Sequence, residues 1–342
     1  MKSEGLSKPI AFEGQAGRLS GEIVFPAGEG PFPALVMLHA AGWGESRFYR
    51  ALAGCFAAAG VAALIFDRRG EGLSEGRRTM DLALLADDAA AAHAFLRRYA
   101  GIDPGTVGLW GYSNGAWVVG RAAPLVEALA FLILTGASAF SPAASEVFRR
   151  TQELRRHGIA SETLNIVERA WTIAFAFLMT GHWDNTIEAE ARSLAAHIEA
   201  DTSLETLPTP AYARENPQLH PVPQLAPFLN ADVRQENGAS LLHMGYDPIP
   251  PLLSIRAPLL IVLAESDDNV PFSASLAAFE AVGLQREPFE TRIQVIAGAS
   301  HSFMTAAGQA RHDGLPMRPP EPGDYLPGYL EEMRSWLGAH TT

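Results

Sequence analysis

Short apolar runs alternate with amphipathic segments along the first 135 residues of the chain. Runs of about 4 to 8 apolar residues are typical of strands buried on both faces, and an apolar residue every three or four positions is typical of helices. The pattern predicts strands at residues 34–39, 61–67, 107–111 and 129–135, and helices at 48–59, 81–98 and 114–123. Because strand and helix alternate with short connections, we expect a mostly parallel sheet covered on both faces.

Both ends of the chain extend this pattern. Residues 10–13 and 19–25 predict an N-terminal antiparallel hairpin, because two strand-like runs flank the turn-forming residues 14–17. Near the C-terminus, residues 258–263 and 292–296 predict two further strands, and residues 326–337 a closing helix.

The alternation stops between residues 136 and 256. This span predicts helices at 145–157, 161–179 and 186–200, followed by an irregular, proline-rich stretch at 207–227. We therefore predict an α/β core made of residues 1–135 and 257–342. A mainly helical cap, residues 136–256, is inserted after the sixth strand.

Composition and charge exclude several classes of partner. The chain has 342 residues, with 26 Lys and Arg against 38 Asp and Glu, which gives a formal net charge of −12. Such a surface repels phosphate backbones and anionic lipid, so we expect no nucleic-acid partner and no membrane association. The sequence does not determine an oligomeric state.

The single cysteine and the absence of long apolar runs exclude further classes of protein. The chain has a single cysteine, Cys55, which excludes an intrachain disulfide and a Cys-based metal site. Neither an apolar signal core near the N-terminus nor an apolar run of transmembrane length is found in the sequence. We expect a cytoplasmic protein.

A G-x-S-x-G segment lies between a predicted strand and a predicted helix. It runs Gly111-Tyr112-Ser113-Asn114-Gly115. A sharp strand-to-helix turn exposes the serine hydroxyl above the sheet, and the flanking glycines let strand and helix approach closely. This context favours Ser113 as a nucleophile, with the Asn114 N–H directed at a developing oxyanion.

A serine nucleophile requires a base and an acid elsewhere in the chain. Asp267 follows the strand at 258–263 and His301 follows the strand at 292–296, so both lie at the same sheet edge as Ser113. Asp268 is an alternative acid, and His312 and His243 are alternative bases. The D-x-x-V-P spacing favours Asp267 over Asp268, and neither His312 nor His243 follows a strand in the order Ser, Asp, His.

These features resemble the α/β-hydrolase superfamily, over nearly the whole chain. The hairpin, residues 66–74 (FDRRGEGLS) and the sequence Ile102-Asp103-Pro104 are more narrowly similar to EstD-like, prolyl-oligopeptidase-related bacterial carboxylesterases. The resemblance implies ester hydrolysis through an acyl-serine intermediate. It also implies a second oxyanion N–H from the loop after the third strand.

That loop departs from the superfamily pattern. The superfamily usually has His-Gly there, whereas this chain has His39-Ala40-Ala41. By motif position we assign the second oxyanion N–H to Ala41, with Ala40 as the alternative. His39 is predicted to be a structural histidine that hydrogen-bonds to loop backbone.

The glycine-rich, charged segment at residues 67–72 has a structural interpretation. It lacks both the dinucleotide-binding fingerprint and the P-loop lysine, so we assign it to a turn after the fourth strand. We predict that Arg69 pairs with Asp87 or Asp88.

Aromatic residues suggest an acyl pocket. Trp171, Phe175 and Met179 recur every four positions in the insertion, and with Trp43 and Tyr112 they are predicted to bind the substrate. A buried packing core is the competing interpretation of this apolar helix.

We therefore predict a carboxylesterase that acts on small-molecule esters with small to medium, largely apolar acyl groups, without a cofactor or metal. An amidase or peptidase is one alternative, for which Glu205, Glu215 or Asp232 could anchor a chain terminus. A ligand-binding protein on a hydrolase scaffold is the other.

Overall fold

The computed structural model describes residues 6–204, 225–230, 241–312 and 318–341. The chain divides into two compact units. The first comprises residues Met1–Ala139, Pro248–Asp267 and Phe272–Thr342. The second comprises Phe140–Asp247 and Asp268–Pro271.

The first unit is built on one eight-stranded sheet with the order β1-β2-β4-β3-β5-β6-β7-β8. β1 and β2 form the predicted antiparallel hairpin, β2 pairs antiparallel with β4, and all remaining neighbours are parallel. The strands are β1 (Ser7–Gly14), β2 (Gly17–Val24), β3 (Phe32–Leu38), β4 (Ala62–Phe66), β5 (Ile102–Tyr112), β6 (Leu132–Thr135), β7 (Leu259–Ala264) and β8 (Thr291–Ile296). The predicted α/β-hydrolase sheet is therefore confirmed.

Two helical layers cover this sheet. The helices of the first unit are α1 (Arg50–Ala58), α2 (Leu82–Arg97), α3 (Asn114–Ala122), α8 (Ile249–Ser254), α9 (Phe272–Gln285), α10 (Ala306–His312) and α11 (Pro327–His340). Trp110 and Tyr112 of β5 belong to the core cluster shared with α1 and α11. Gly111, between them, faces α3, because a Cβ added there would lie 2.7 Å from the Val119 Cγ2 atom. The two-residue alternation along a strand therefore sends successive side chains into opposite layers.

The second unit is helical in its described residues. Its helices are α4 (Pro142–Arg156), α5 (Ser161–Thr180), α6 (Asn185–Ala200) and α7 (Leu225–Asn230). α4 begins three residues earlier than predicted, because the Ser141 hydroxyl caps it by accepting from the Ala144 N–H and Pro142 occupies the first turn. Most of the span 207–227, predicted as irregular, lies outside the described residues, as do Glu205, Glu215 and Asp232. The last three residues of that span, 225–227, lie in α7.

Candidate active site

Ser113 occupies a strained turn between β5 and α3. Its backbone has φ 55° and ψ −116°, a conformation that L-residues rarely adopt. A Cβ on Gly111 would lie 2.3 Å from the Gly115 carbonyl oxygen, and a Cβ on Gly115 would lie 2.4 Å from that of Leu38. Only glycine fits at these two positions, so the sequence G-x-S-x-G is what allows the tight turn to form.

His301 links Ser113 to Asp267 through two hydrogen bonds. The His301 Nε2 atom lies 2.9 Å from the Ser113 Oγ atom, and the Nδ1 atom lies 2.7 Å from the Asp267 Oδ2 atom. Because an ionised carboxylate only accepts, Nδ1 carries the proton and Nε2 is free to accept from the serine hydroxyl. The Asp267 side chain is 3% exposed and that of His301 12%. The three residues predicted from strand-end positions are thus brought together.

The alternative acid and bases have other contacts or belong to the other unit. Asp268 forms an ion pair with Arg156. The Nδ1 atom of His312 lies 3.0 Å from the Arg318 carbonyl oxygen, and His243 belongs to the short 3₁₀ turn Leu242–Gly245 of the helical unit. Of the groups weighed from the sequence, His301 is the one that contacts Ser113, and Asp267 is the one that contacts His301.

Tyr112 and Gly136 frame the His301 imidazole. The Tyr112 hydroxyl donates to the His301 carbonyl oxygen at 3.1 Å, and burial together with the negative charge of Asp267 raises the pKa of Tyr112 well above its usual range. The phenol therefore stays protonated and remains a donor. Gly136, which the sequence analysis missed, has φ +55°, and a Cβ there would lie 3.2 Å from the His301 Cε1 atom. Its position directly after β6 was the available signal.

The loop after β3 presents a backbone N–H near the end of the nucleophile strand. The Ala40 N–H donates to the Tyr49 hydroxyl at 2.7 Å, and that hydroxyl donates to the Trp43 carbonyl oxygen at 2.9 Å. The Ala40 N–H is therefore already hydrogen-bonded, which favours Ala41 over Ala40 as the donor of the second oxyanion N–H. Asn114 is the first residue of α3, so its N–H has no acceptor within the helix.

Two buried side chains, one in the loop and one just after β4, hold the same loop. The His39 Nε2–H donates to the carbonyl oxygen of Phe66, the last residue of β4, at 2.5 Å, rather than to the loop backbone that was predicted as its partner. Arg68 donates to the carbonyl oxygens of Ala41 and Ala40, at 3.0 and 3.4 Å. Arg68 was not predicted from the sequence. Arg69 pairs with Asp88, one of its two predicted partners, through two hydrogen bonds of 2.6 and 2.7 Å.

Because two buried histidines resist protonation in the native state, we expect the protein to lose stability in mild acid. Burial lowers the pKa of His39 and of His93 from 6.5 to about 4, and the nearby positive charge of Arg68 adds to the effect at His39. The unfolded chain binds a proton at each imidazole below pH 6.5, whereas the native chain stays neutral until about pH 4. The free energy of unfolding should therefore fall between pH 6.5 and 4, by at most about 3 kcal/mol per imidazole.

Urea unfolding at pH 7.5, 6 and 4.5 measures this loss. We expect His93→Gln to flatten the decline, while the matched change His197→Gln, at an exposed position of α6, leaves it as in the wild type. An identical pH dependence in wild type and His93→Gln would contradict the assignment.

The predicted substrate-binding residues belong to two different units. In the first unit the Trp43 ring lies 5.7 Å from that of Tyr112 and 4.4 Å from that of His312, between ring centroids. In the helical unit Trp171 and Phe175 are buried in the apolar core, and Met179 is partly buried against it. The Arg150 guanidinium lies 4.0 Å above the Trp171 ring. The packing role of these residues is thus observed, and their acyl-binding role stays a prediction.

Within the described ranges, no group of three or more His, Cys, Asp or Glu side chains could hold a metal ion. In the same part of the chain, no helix combines the length and apolar character needed to cross a bilayer.

Comparison with known proteins agrees with the fold. A family model described as X-Pro dipeptidyl-peptidase (S15 family) matches residues 14–287. That range includes β2 to α9 and covers most of the chain. The chain belongs to the S15 peptidase family. It therefore has the α/β-hydrolase fold, which confirms the superfamily suggested by its motifs.

Individual relatives of this S15 chain are similar over shorter stretches. A thiohydrolase of Aspergillus aculeatus is 40% identical over 98 residues, which is 28% of this chain and 31% of the relative. The chain thus spans only about a third of the length of the curated relatives it matches.

Among solved structures, the α/β hydrolase GrgF of Penicillium sp. sh18 superposes with a TM-score of 0.59 at 18% identity, over 98% of this chain and 99% of the other. An esterase of Pyrococcus furiosus superposes with a TM-score of 0.53 at 14% identity, over 98% and 90%. At such low identities these likenesses show the fold alone.

Proposed function

We propose that this S15-family chain is a serine hydrolase that cleaves carboxylic esters of small to medium, largely apolar acyl groups. The observation that carries the proposal is the continuous hydrogen-bond chain from Ser113 through His301 to Asp267, with Ser113 on a strained turn at a helix N-terminus. A strained, half-buried serine joined to an oriented imidazole is the arrangement that acyl transfer requires.

In the proposed mechanism, His301 takes the proton of Ser113 as the hydroxyl oxygen attacks the ester carbonyl. Asp267 keeps the imidazole in the Nδ1–H tautomer and stabilises the imidazolium that forms. The N–H groups of Asn114 and Ala41 stabilise the oxyanion. His301 then protonates the leaving alkoxide, and a water molecule, activated by the same imidazole, hydrolyses the acyl-serine.

The preference for apolar acyl groups rests on Trp43 and Tyr112, whose rings pack together at the end of the nucleophile strand. That the helical unit serves as a cap, and that Trp171, Phe175 and Met179 bind the acyl chain, remain proposals from the sequence. Catalysis in this scheme uses side chains and backbone N–H groups, so it calls for no cofactor.

Amide hydrolysis is the second candidate, because the family model that matches residues 14–287 is that of a dipeptidyl-peptidase. The acyl-serine step would be the same, but the amine leaving group needs full protonation by His301. A dipeptidyl-peptidase would also need a carboxylate to bind the substrate's amino terminus, and the three acidic residues considered for that role lie outside the described residues.

The test compares matched substrates on one protein preparation. Nitrophenyl esters from acetyl to dodecanoyl, the corresponding nitroanilides, thioesters of the same acyl groups and X-Pro nitroanilides are assayed with wild type and Ser113→Ala. We expect ester turnover that is lost in Ser113→Ala and is greatest for one range of acyl lengths. Faster turnover of X-Pro nitroanilides than of any ester would favour the peptidase instead, and faster thioester turnover would make thioesters the substrate class.

A further inference from the structure

Arg68 is a buried cation directly beside the loop that carries Ala41. It follows β4, is 1% exposed, and its guanidinium donates to the Ala41 carbonyl oxygen at 3.0 Å and to the Ala40 carbonyl oxygen at 3.4 Å. A buried guanidinium that contacts two consecutive carbonyl groups restricts the orientation of both peptide planes.

The orientation of the Ala40 carbonyl determines that of the Ala41 N–H. In a planar trans peptide the carbonyl oxygen of one residue and the N–H of the next point in opposite directions. A guanidinium that binds the Ala40 carbonyl oxygen therefore turns the Ala41 N–H away from Arg68. We propose that Arg68 is a positioning residue that holds the Ala41 N–H in the orientation an oxyanion donor requires. This proposal rests on the function proposed above.

Arg68 is itself held rigidly. Its Nε and Nη2 atoms donate to the Glu71 Oε1 atom at 2.8 and 2.5 Å, and its backbone N–H donates to the Gly44 carbonyl oxygen at 2.7 Å. The loop passes so close to Glu71 that a Cβ on Gly44 would overlap the carboxylate. Arg68 and Glu71 thus form an ion pair that contacts both ends of the loop, and the more exposed Arg78 also lies 3.2 Å from Glu71.

Tyr49 completes the support from the opposite side. Burial raises the pKa of Tyr49 well above its usual range, so its hydroxyl stays protonated while it accepts from the Ala40 N–H and donates to the Trp43 carbonyl oxygen. The two successive N–H groups then have different roles, since that of Ala40 is bound inside and that of Ala41 faces outward. The superfamily usually has a glycine after the histidine, where this chain has Ala40. Here the contacts with Arg68 and Tyr49 orient the backbone at that position.

The conservative variant Arg68→Lys tests the positioning role. An ammonium keeps the charge opposite Glu71, but it cannot match the planar fork that reaches Glu71 and both carbonyl oxygens. We expect kcat per active site to fall by about 10- to 100-fold while KM changes by less than about threefold, because the oxyanion forms only in the transition state. Active sites are counted by titration with a fluorophosphonate probe.

Arg286→Lys is the matched control. Arg286 is also a buried arginine of the first unit, and it donates to the carbonyl oxygens of Ala257 and Ile255 at 2.6 and 3.1 Å, away from the loop. We expect it to lower the Tm with kcat per active site unchanged. If Arg68→Lys behaves like Arg286→Lys, with a lower Tm and an unchanged kcat per active site, Arg68 is merely structural and the proposal is wrong.

A second variant covers the case in which Arg68→Lys does not fold. Glu71→Gln removes the charge that anchors the guanidinium but keeps the side-chain size, and we expect a loss in kcat of about 3- to 10-fold with little change in KM. An unchanged kcat per active site in Glu71→Gln would overturn the proposal in that case.

The rate at which the fluorophosphonate labels Ser113 separates this proposal from the proposed substrate class. The probe needs an oriented oxyanion donor but no acyl specificity, so its labelling rate should fall in Arg68→Lys by about the same factor as kcat. If wild type labels at Ser113 but hydrolyses no ester, the ester assignment fails and the labelling rate decides the role of Arg68. Absence of labelling in the wild type would overturn both.

Discussion

Ser113→Ala and His301→Ala should each lower kcat by about 10⁴-fold or more, and the double variant should be only slightly worse than either single one. The reason is the 2.9 Å contact between the Ser113 Oγ and the His301 Nε2 atoms. A hydroxyl without a base, or a base without a hydroxyl, cannot carry out the proposed attack, so removing the second partner costs little more. Steady-state kinetics on the preferred nitrophenyl ester measures all three variants.

The matched control is His312→Ala. His312 is buried in the same unit and contacts the Trp43 ring, but its Nδ1 atom is bound to the Arg318 carbonyl oxygen rather than to Ser113. We expect it to retain at least about a tenth of the wild-type kcat, since it can disturb the loop only through packing. Losses in Ser113→Ala and His301→Ala that multiply in the double variant would contradict the view that the two residues act as one unit.

The positions of these groups could be inferred from the sequence because each follows the end of a parallel strand. Ser113 comes after β5, Asp267 after β7 and His301 after β8, and the carboxyl ends of parallel strands meet at one edge of the sheet. Strand position is a local property that the hydrophobic pattern reveals. The G-x-S-x-G spacing similarly reports a local requirement, the close approach of β5 and α3.

The support for the loop after β3 could not be inferred in this way. Arg68 and Tyr49 are separated from Ala40 by 28 and 9 residues, and what they contact depends on how β3, β4 and α1 pack together. The sequence around Arg68 also gives no signal of this role, since residues 67–72 have the composition of an ordinary charged turn.

Two of the helices that were not predicted, α9 and α10, were missed for a related reason. In α9 the buried residues are Ser275, Phe279 and Val282, so a polar residue occupies one position of the buried face and the apolar pattern is weak. In α10 the buried residues are Gly308 and His312, which also give little hydrophobic signal. Both helices are stabilised by packing against the rest of the first unit. The hydrophobic pattern of a single segment does not reveal such packing.

Asp267→Asn should lower kcat by about 10⁴-fold, whereas Asp268→Asn should change it by less than about threefold. The two carboxylates are adjacent in the chain and chemically identical, so each substitution is the matched control of the other. Asp267 is 3% exposed and accepts from the His301 Nδ1–H at 2.7 Å. Asp268 is 39% exposed and pairs with Arg156.

The expected difference follows from what each carboxylate contacts. An amide at position 267 can donate to Nδ1, which would favour the tautomer whose Nε2 carries the proton and cannot accept from Ser113. It would also remove the charge that stabilises the imidazolium. Losing the exposed pair between Asp268 and Arg156 removes an interaction worth about 0 to 1 kcal/mol and leaves His301 oriented as before. Equal losses of kcat in the two variants, or a larger loss in Asp268→Asn, would contradict the assignment of Asp267 as the acid that orients His301.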